Sequence, residues 1–446
     1  PMSSDSPTCL AGVARICINP NLPVILAGYF HDRVADRVRD DLGADVLVLE
    51  NGGRRVALVS CDLISITDEL QGWVLERVGE ELGLAPEAVL ISASHTHTAP
   101  ELRVRDVFPR RQDFLDELPE RIAQALREAV AALAPATIHA GQSQAKGFSF
   151  NRLNRMKDGS EVFGRGNPEL VAGPAGPVDP SVQTLAVYGP DQKVRAVVVN
   201  FACHPDIIGG GRADFVSADW PGEMRRCLQA VYGVGVPVVF LQGTAGDINQ
   251  NSYLPTFRPN GGPQKAEQVG RAIAGAALLA IEGSDPMAEL TLAASMEELA
   301  IPFFTRTPEF MAYVASLKAK GDKATYFETH LVRRAEAWPH DGQTDNLCVR
   351  CLRIGETGLV GLPGEIFTEW GLQTKRYSPA TQTMVAELTA SPNGMAGYKS
   401  TTDQALRGCD CCGAYGATPT LSMRHAPDAG RRLTESAIRQ LHELFS

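Results

Sequence analysis

No stretch of this 446-residue sequence is apolar for long enough to cross a bilayer. The longest runs, such as 274–281, stop far short of the about 20 residues a spanning helix needs, so stable membrane insertion is not expected. There is no Lys/Arg-rich run, and the formal net charge is −10, which argues against nucleic acid or an anionic membrane surface as partner. Aromatic residues make up only 7%, and no Phe/Leu/Trp-rich segment stands out as a surface loop for lipid. The opening residues, Pro1-Met2-Ser3-Ser4-Asp5-Ser6-Pro7, have neither the basic nor the apolar part of an export signal. Ten cysteines lack any framework spacing, and several, such as Cys61 and Cys203, sit inside apolar runs where a thiol packs as a small core residue. These absences predict a reducing, cytoplasmic compartment. Cys348 and Cys351 lie in an alternating, strand-like segment whose positions i and i+3 face opposite sides, so they are not read as a joint zinc site. Cys409, Cys411 and Cys412 fall in a glycine-flanked loop and are read as structural.

Hydrophobic residues account for 44% and charged residues for 21%, the balance of a globular chain with a sizeable core. Strand and helix signals alternate through the first 285 residues and predict an α/β fold: a central mixed β-sheet flanked by helices, with the site at strand-tip loops. Strands are expected at 44–50, 55–61, 88–93, 136–140, 195–202 and 236–241, and helices at 68–82, 114–133, 221–232 and 264–282. Residues 156–180, rich in Gly and Pro, read as a surface excursion. Beyond 288, two strands at 290–296 and 298–304 precede a helical region at 307–337, a strand pair at 347–362 and a last helix at 428–445. This pattern reads as one domain, 8–446, with sublobes 8–285 and 286–446.

Four of the apolar strands end in polar tips that carry chemistry. Ser94-His95-Thr96-His97-Thr98 follows the strand at 88–93, and in extended backbone residues i and i+2 point the same way, so both imidazoles can face one site. The other tips carry His204, Asp247 and Glu365. Ligands of α/β sheets bind beyond strand ends. A catalytic zinc takes three His or carboxylate donors and keeps an open position; His95 or His97, His204 and Glu365 match that inventory. The remaining histidines, 31, 139, 330, 340, 425 and 442, lack such surroundings and are read as surface or structural.

The segments Ser94-His95-Thr96-His97-Thr98-Ala99-Pro100, Asn200-Phe201-Ala202-Cys203-His204-Pro205, Gln242-Gly243-Thr244-Ala245-Gly246-Asp247-Ile248-Asn249, Pro363-Gly364-Glu365 and Asn393-Gly394-Met395-Ala396-Gly397-Tyr398 occur in this order. Together they resemble the catalytic domain of the neutral/alkaline (non-lysosomal) ceramidases and their bacterial relatives, over about 30–420. The resemblance implies one zinc ion per chain, bound by His95, His204, Glu365 and Tyr398. His97 would then lie near the substrate carbonyl, with Arg152 as the active-site arginine in preference to Arg155, and with Asp62 and Asp247 orienting the histidines. The implied reaction is hydrolysis of an amide by metal-activated water, its oxyanion steadied by His97 or Arg152.

The sequence departs from the family in two segments. Gly246-Asp247-Ile248-Asn249-Gln250-Asn251 lacks the family's serine, which disfavours a serine nucleophile. Gly408-Cys409-Asp410-Cys411-Cys412-Gly413-Ala414-Tyr415 replaces the family's Gly-Gly-Tyr-Glu, leaving Tyr415 to stand for an oxyanion-binding tyrosine. The expected fold is that of the family's catalytic domain without its C-terminal β-sandwich. The sparse aromatics favour a small soluble substrate, an N-acyl amine or N-acyl amino acid, over ceramide. Ester or lactone hydrolysis or a lyase reaction on the same site, a non-catalytic binding protein, and a two-metal site using Asp62, Asp219 or Asp247 beside His97 are the alternatives. A homo-oligomer is compatible with the sequence. The loops 252–263 and 399–415 are the lid candidates.

Overall fold

In the computed structural model the described residues are 9–446, except 104–110, 165–166, 255–259, 395 and 412. Cys412, Met395 and the middle of the 252–263 loop thus lie outside them. In chain order the main-sheet strands are β1 (Cys9–Cys17), β2 (Gly43–Asn51), β3 (Arg54–Cys61), β4 (Val89–Ala93), β5 (Ala134–Gln144), β6 (Ser181–Tyr188), β7 (Val194–Phe201), β8 (Val238–Gln242), β9 (Leu292–Pro302), β10 (Thr344–Ile354), β11 (Thr357–Pro363) and β12 (Gln382–Thr389). The helices are α1 (Asp68–Leu82), α2 (Gln112–Ala131), α3 (Asp219–Tyr232), α4 (Pro263–Glu282), α5 (Pro308–Lys318), α6 (Tyr326–Glu336), α7 (Thr368–Tyr377), α8 (Thr402–Cys409) and α9 (Ala429–Leu444). No helix among the described residues is long and apolar enough to cross a membrane.

The twelve strands form one mixed sheet in the order β8-β7-β6-β5-β1-β2-β3-β4-β12-β11-β10-β9. The sheet folds back on itself. Leu47, Leu58 and Leu90 from its middle meet Leu185, Val198 and Leu241 from one end and Leu352, Leu359 and Met384 from the other in a single inner core. Helices cover the outer faces: α1 and α2 pack on β2 to β4, α3 and α4 on β7 and β8, and α9 on β10 and β11. Three neighbouring pairs run parallel, β3 with β4, β7 with β8, and β11 with β12. The carboxyl ends of β4 and β12 meet at Ser92 and Thr389. Strand β4 runs antiparallel to β12, so it is the folding back of the sheet, together with this meeting of carboxyl ends, that brings the tips after β4, β7, β8 and β11 together.

The apolar runs become strands and the periodic segments become helices at nearly the expected bounds. Helix α1 starts where the Thr67 hydroxyl accepts the Leu70 N–H and stops at Gly83, whose φ of 62° suits the left-handed cap. Two expectations change. The region 290–304 is one strand, because β9 pairs with β10 without a break from Leu292 opposite Ile354 to Pro302 opposite Thr344. The excursion at 156–180 is organised by a small antiparallel sheet of Leu153–Met156, Glu161–Phe163 and Val171–Pro174. Strands β1, β6 and β12 and helices α7 and α8 lie outside the elements expected from the sequence.

A buried ion-pair group ties α3 to the sheet. Arg225 of α3 lies 3.1 Å from Asp62 and 3.3 Å from Asp45, and both carboxylates are fully buried. Replacing Arg225 with methionine takes its cation from Asp62 and leaves Asp45 with Arg15 alone. The expected loss is about 3–5 kcal/mol of unfolding free energy, measured by denaturant titration.

Candidate active site

His95 sits two residues past β4 with φ at 70°, in the left-handed region that a non-glycine residue adopts only under constraint. The constraint is visible: the His95 N–H donates to Leu63 O at 2.9 Å, and its ring Nδ1 lies 2.6 Å from Ile64 O. His204, three residues past β7, has its Nδ1 3.2 Å from Ala245 O. A neutral ring that gives its Nδ1–H to a carbonyl turns the lone pair of Nε2 to the other side. The two Nε2 atoms face each other at 3.1 Å. Glu365 closes the triangle, with Oε2 3.5 Å from His95 Nε2 and 3.7 Å from His204 Nε2. That oxygen is buried and has no hydrogen-bond partner. Donors around a tetrahedral zinc with bonds of about 2.0–2.1 Å stand about 3.3 Å apart, so the three edges fit one cation. His97 Nε2 is 3.4 Å from His95 Nε2, and the donor atoms of His95, His97 and His204 all lie within 4.8 Å of one another.

His97 reaches the cavity by a different route from the one the sequence suggested. Residues 94–96 are irregular and 97–98 form a turn, so no extended strand carries the pair. The His97 N–H donates instead to Pro205 O at 3.1 Å, and the Arg33 guanidinium donates to His97 O at 2.7 Å. The ring lies against Gly28, whose φ is 98° and where a Cβ would come within 2.4 Å of Nδ1. Burial, followed by the charges of His95, Arg33 and Arg152, holds the His97 pKa well below its usual value. Burial, then Arg152 and the other two histidines, does the same to His204. Burial acts to raise the Glu365 pKa, but the imidazoles and Arg152 outweigh it and hold the carboxyl near about 2. The lowered His97 and His204 pKa values and an ionised Glu365 suit cation binding, which needs deprotonated ligands.

Two short strand pairs bring in the other groups. Glu365–Ile366 pairs in parallel with Tyr398–Lys399, Glu365 opposite Tyr398, which sets the phenol beside the carboxylate. Phe150–Asn151 pairs with Ile248–Asn249, which sets Arg152 beside the Asp247 tip. Arg152 Nη2 donates to Tyr398 Oη at 3.0 Å and to Gly246 O at 2.7 Å. Burial opposes the Arg152 charge, but Tyr398 and Glu365 keep its pKa above the ordinary value. Burial and then the Glu365 carboxylate raise the Tyr398 pKa well above that of a free phenol, so its proton stays on. Tyr415 lies with its ring 5.2 Å from Tyr398, over the same guanidinium.

Asp62 and Asp247 do not touch the histidines; backbone carbonyls orient the rings. Asp62 instead takes the Gly43 N–H and pairs with Arg225, anchoring the turn that offers Leu63 O and Ile64 O. Asp247 accepts from Asn151 Nδ2 at 2.6 Å and from the Thr368 N–H and Oγ1 at 2.8 and 2.9 Å, joining the Arg152 segment to the start of α7. Asp219 accepts the N–H groups of Ile207 and Ile208. None of the three lines the histidine cavity, which leaves the two-metal arrangement without the aspartates it was built on. Arg155 lines a separate cleft.

The cavity has a volume of about 310 Å³. The sequence did not show its aromatic mouth. Phe30, Phe163, Phe327 and Tyr415 are far apart in the chain and meet here, with ring centroids 5.2–6.4 Å apart. Asp206, hydrogen-bonded to Tyr29 at 2.6 Å and 4.0 Å from His97 Nδ1, also went unread, as did Glu387, whose Oε2 takes the Ile366 N–H at 2.6 Å. Neither belongs to a spacing pattern that would mark it.

No family model matches the chain, and no curated protein is similar to it in sequence. Solved structures are similar in shape. The structure described as "Crystal Structure Analysis of neutral ceramidase from Pseudomonas aeruginosa" superposes with a TM-score of 0.74 at 17% identity, over 98% of this chain and 74% of that one. The fold is that of a neutral ceramidase. A second structure, a ceramidase complexed with C2, gives 0.73 at 16% identity over 97% of this chain and 74% of the other. The chain thus spans about three quarters of each neighbour. At such identities the ceramidase likeness is one of architecture, a mixed sheet with flanking helices as the sequence predicted.

Gly28→Ala tests the packing of His97. The added methyl must displace the ring and also strains a positive φ. The expected outcome is a loss of about 1–3 kcal/mol in stability and, on any substrate turned over, a fall of at least about tenfold in kcat, measured by thermal unfolding and steady-state kinetics.

Proposed function

We propose that residues 8–446 form a metal-dependent hydrolase domain that cleaves an amide (N-acyl) bond. The observation that carries this reading is the triangle of His95, His204 and the partnerless Glu365 oxygen at the base of a cavity that also holds Arg152 and Tyr398. His95, His204 and Glu365 would hold one ion, with Tyr398 beside them as a fourth donor. Two imidazoles and a carboxylate suit zinc, a borderline cation, better than calcium or magnesium, which want more oxygen donors. When bound, such an ion supplies Lewis acidity toward a carbonyl and lowers the pKa of a water.

The protein's own groups do the rest. Arg152 is a fixed, desolvated cation placed to receive the negative charge that grows on a carbonyl oxygen, and Tyr415 beside it adds a hydroxyl. His97, neutral and buried, is placed to hydrogen-bond the carbonyl or to pass a proton toward the leaving nitrogen. Tyr398 keeps its proton and is the other donor. The ceramidase fold of the neighbours supports an amide in preference to the ester, lactone or lyase readings, and the survival of every donor argues against a binding protein.

Metal analysis with an amide and ester panel tests this. The expected result is about one zinc per chain, lost on Glu365→Gln together with turnover of N-acyl amides. Metal-free protein that takes up no zinc refutes the reading.

A second arrangement, in which His97 is the third ligand, is favoured by its 3.4 Å separation from His95. His97→Ala separates the two. As a substrate-side group its loss lowers kcat by about 100-fold or more with metal content intact; as a ligand its loss lowers metal content.

A further inference from the structure

The cavity wall is cationic in a chain whose net charge is −10. Four arginines line it, Arg103, Arg152, Arg334 and Arg424, against two carboxylates, Asp206 and Glu365. Both carboxylates are engaged, Asp206 with Tyr29 and Glu365 with the histidines and Tyr398. Arg103 is matched by a two-pronged pair with Glu101, and Arg152 is held by Tyr398 and Gly246.

Arg424 is different. Its guanidinium lies over the rings of Phe303 and Trp338, each 5.7 Å away, and Nη2 is 3.3 Å from His340 Nε2. Its Nε is buried without a hydrogen-bond partner. It makes no salt bridge among the described residues, and Asp345, which acts on it through space, is itself bonded to His425 at 3.1 Å. The Arg424 stem passes close to the site: its Cγ lies 3.0 Å from where a Cβ on Gly397 would be, and Gly397 O accepts the Glu365 N–H at 3.1 Å. Arg424 therefore shares the cavity wall with Glu365.

A second chamber of about 220 Å³ adjoins the first and shares Phe163, Phe327, Tyr415 and Leu421 with it. It continues between α5, α6 and the 408–421 segment, lined by Phe310, Leu331 and Pro419 among others. Its lining is mostly apolar, with Glu328 as its one carboxylate.

We propose that the substrate is an anionic amide of the N-acyl amino acid class, its carboxylate held by Arg424 and its acyl chain lying in the apolar chamber. This rests on the amidase reading above. In such a molecule the carboxylate is two bonds from the amide nitrogen, so the anion site must share a cavity with the reacting centre, as Arg424 does. The apolar chamber then takes the arm on the other side of the carbonyl. Water's oxygen bonds to the carbonyl carbon, the C–N bond breaks, and one water proton goes to nitrogen, giving a carboxylic acid and a free amino acid.

The test compares N-octanoylglycine with the neutral N-octanoylethanolamine on the zinc-loaded protein, with butanoyl and dodecanoyl homologues for chain length. A charge-assisted hydrogen bond of about 1.5–3 kcal/mol predicts a preference of at least about tenfold in kcat/KM for the acid. Arg424→Gln should erase that preference chiefly through KM, and Arg424→Lys should keep part of it. Leu421→Trp, at the junction of the chambers, should penalise dodecanoyl more than butanoyl substrates. Equal turnover of acid and neutral amide, or a preference that survives Arg424→Gln, overturns the inference and leaves the amidase reading standing. Calorimetric binding of N-octanoylglycine gives a readout without catalysis. Binding weakened by Arg424→Gln supports the anion site even if no amide is hydrolysed, a result that would sink the amidase reading alone; no binding and no turnover sinks both.

Discussion

An ionised carboxylate buried among imidazoles, with one oxygen left without a hydrogen-bond partner, is the constraint on which this architecture turns. Removing such a charge from water is costly unless something of opposite sign is near. Here the compensation comes from three directions: the imidazole donors at 3.5 and 3.7 Å, the Arg152 guanidinium, and the Tyr398 hydroxyl. These groups come from the tips after β4, β7 and β11, from the Arg152 segment, and from the strand residue paired with Glu365. The folding back of a single sheet lets tips so distant in sequence share one cavity.

Holding these tips to the tolerance a metal site demands requires hydrogen bonds that lie outside the site itself. Asp247 joins the Arg152 segment to the start of α7, and Glu387 fixes the backbone just after Glu365. Gly246 lets that backbone come closer still: a Cβ there would lie 2.7 Å from Glu365 O. Burial, with Glu365 nearby, drives the Glu387 pKa well above its usual value, so this carboxyl acts as a neutral hydrogen-bonding strut. The left-handed backbone of His95 is the local strain that this framework tolerates to aim one ring.

Much of this was legible in the sequence because it depends on local patterns. Apolar runs ending in Gly, Pro or His announced the strands and their tips, and His204, Glu365 and one of His95 and His97 were readable as candidate donors by type and position, the resemblance choosing His95. The packing partners of those donors were not. Asp62 and Asp247 looked like partners for histidines because carboxylates commonly are, yet backbone carbonyls took that role. The backbone at the tips was free to turn its own C=O groups inward, and a sequence carries no mark of that choice. The aromatic mouth was invisible for a related reason: Phe30, Phe163, Phe327 and Tyr415 are single residues on separate elements, and only tertiary packing makes them a cluster.

Charge shows the same separation of scales. The bulk balance of −10 is a statement about the outer surface and its partners. It says nothing about a cavity of about 310 Å³ walled by four arginines. Arg103 and Arg152 have polar partners inside the protein, which makes them part of the framework. Arg424 is held by ring faces and one imidazole nitrogen, contacts that position a guanidinium without neutralising it. A cation kept charged and oriented on a cavity wall favours an anionic ligand there, whatever the sign of the outer surface.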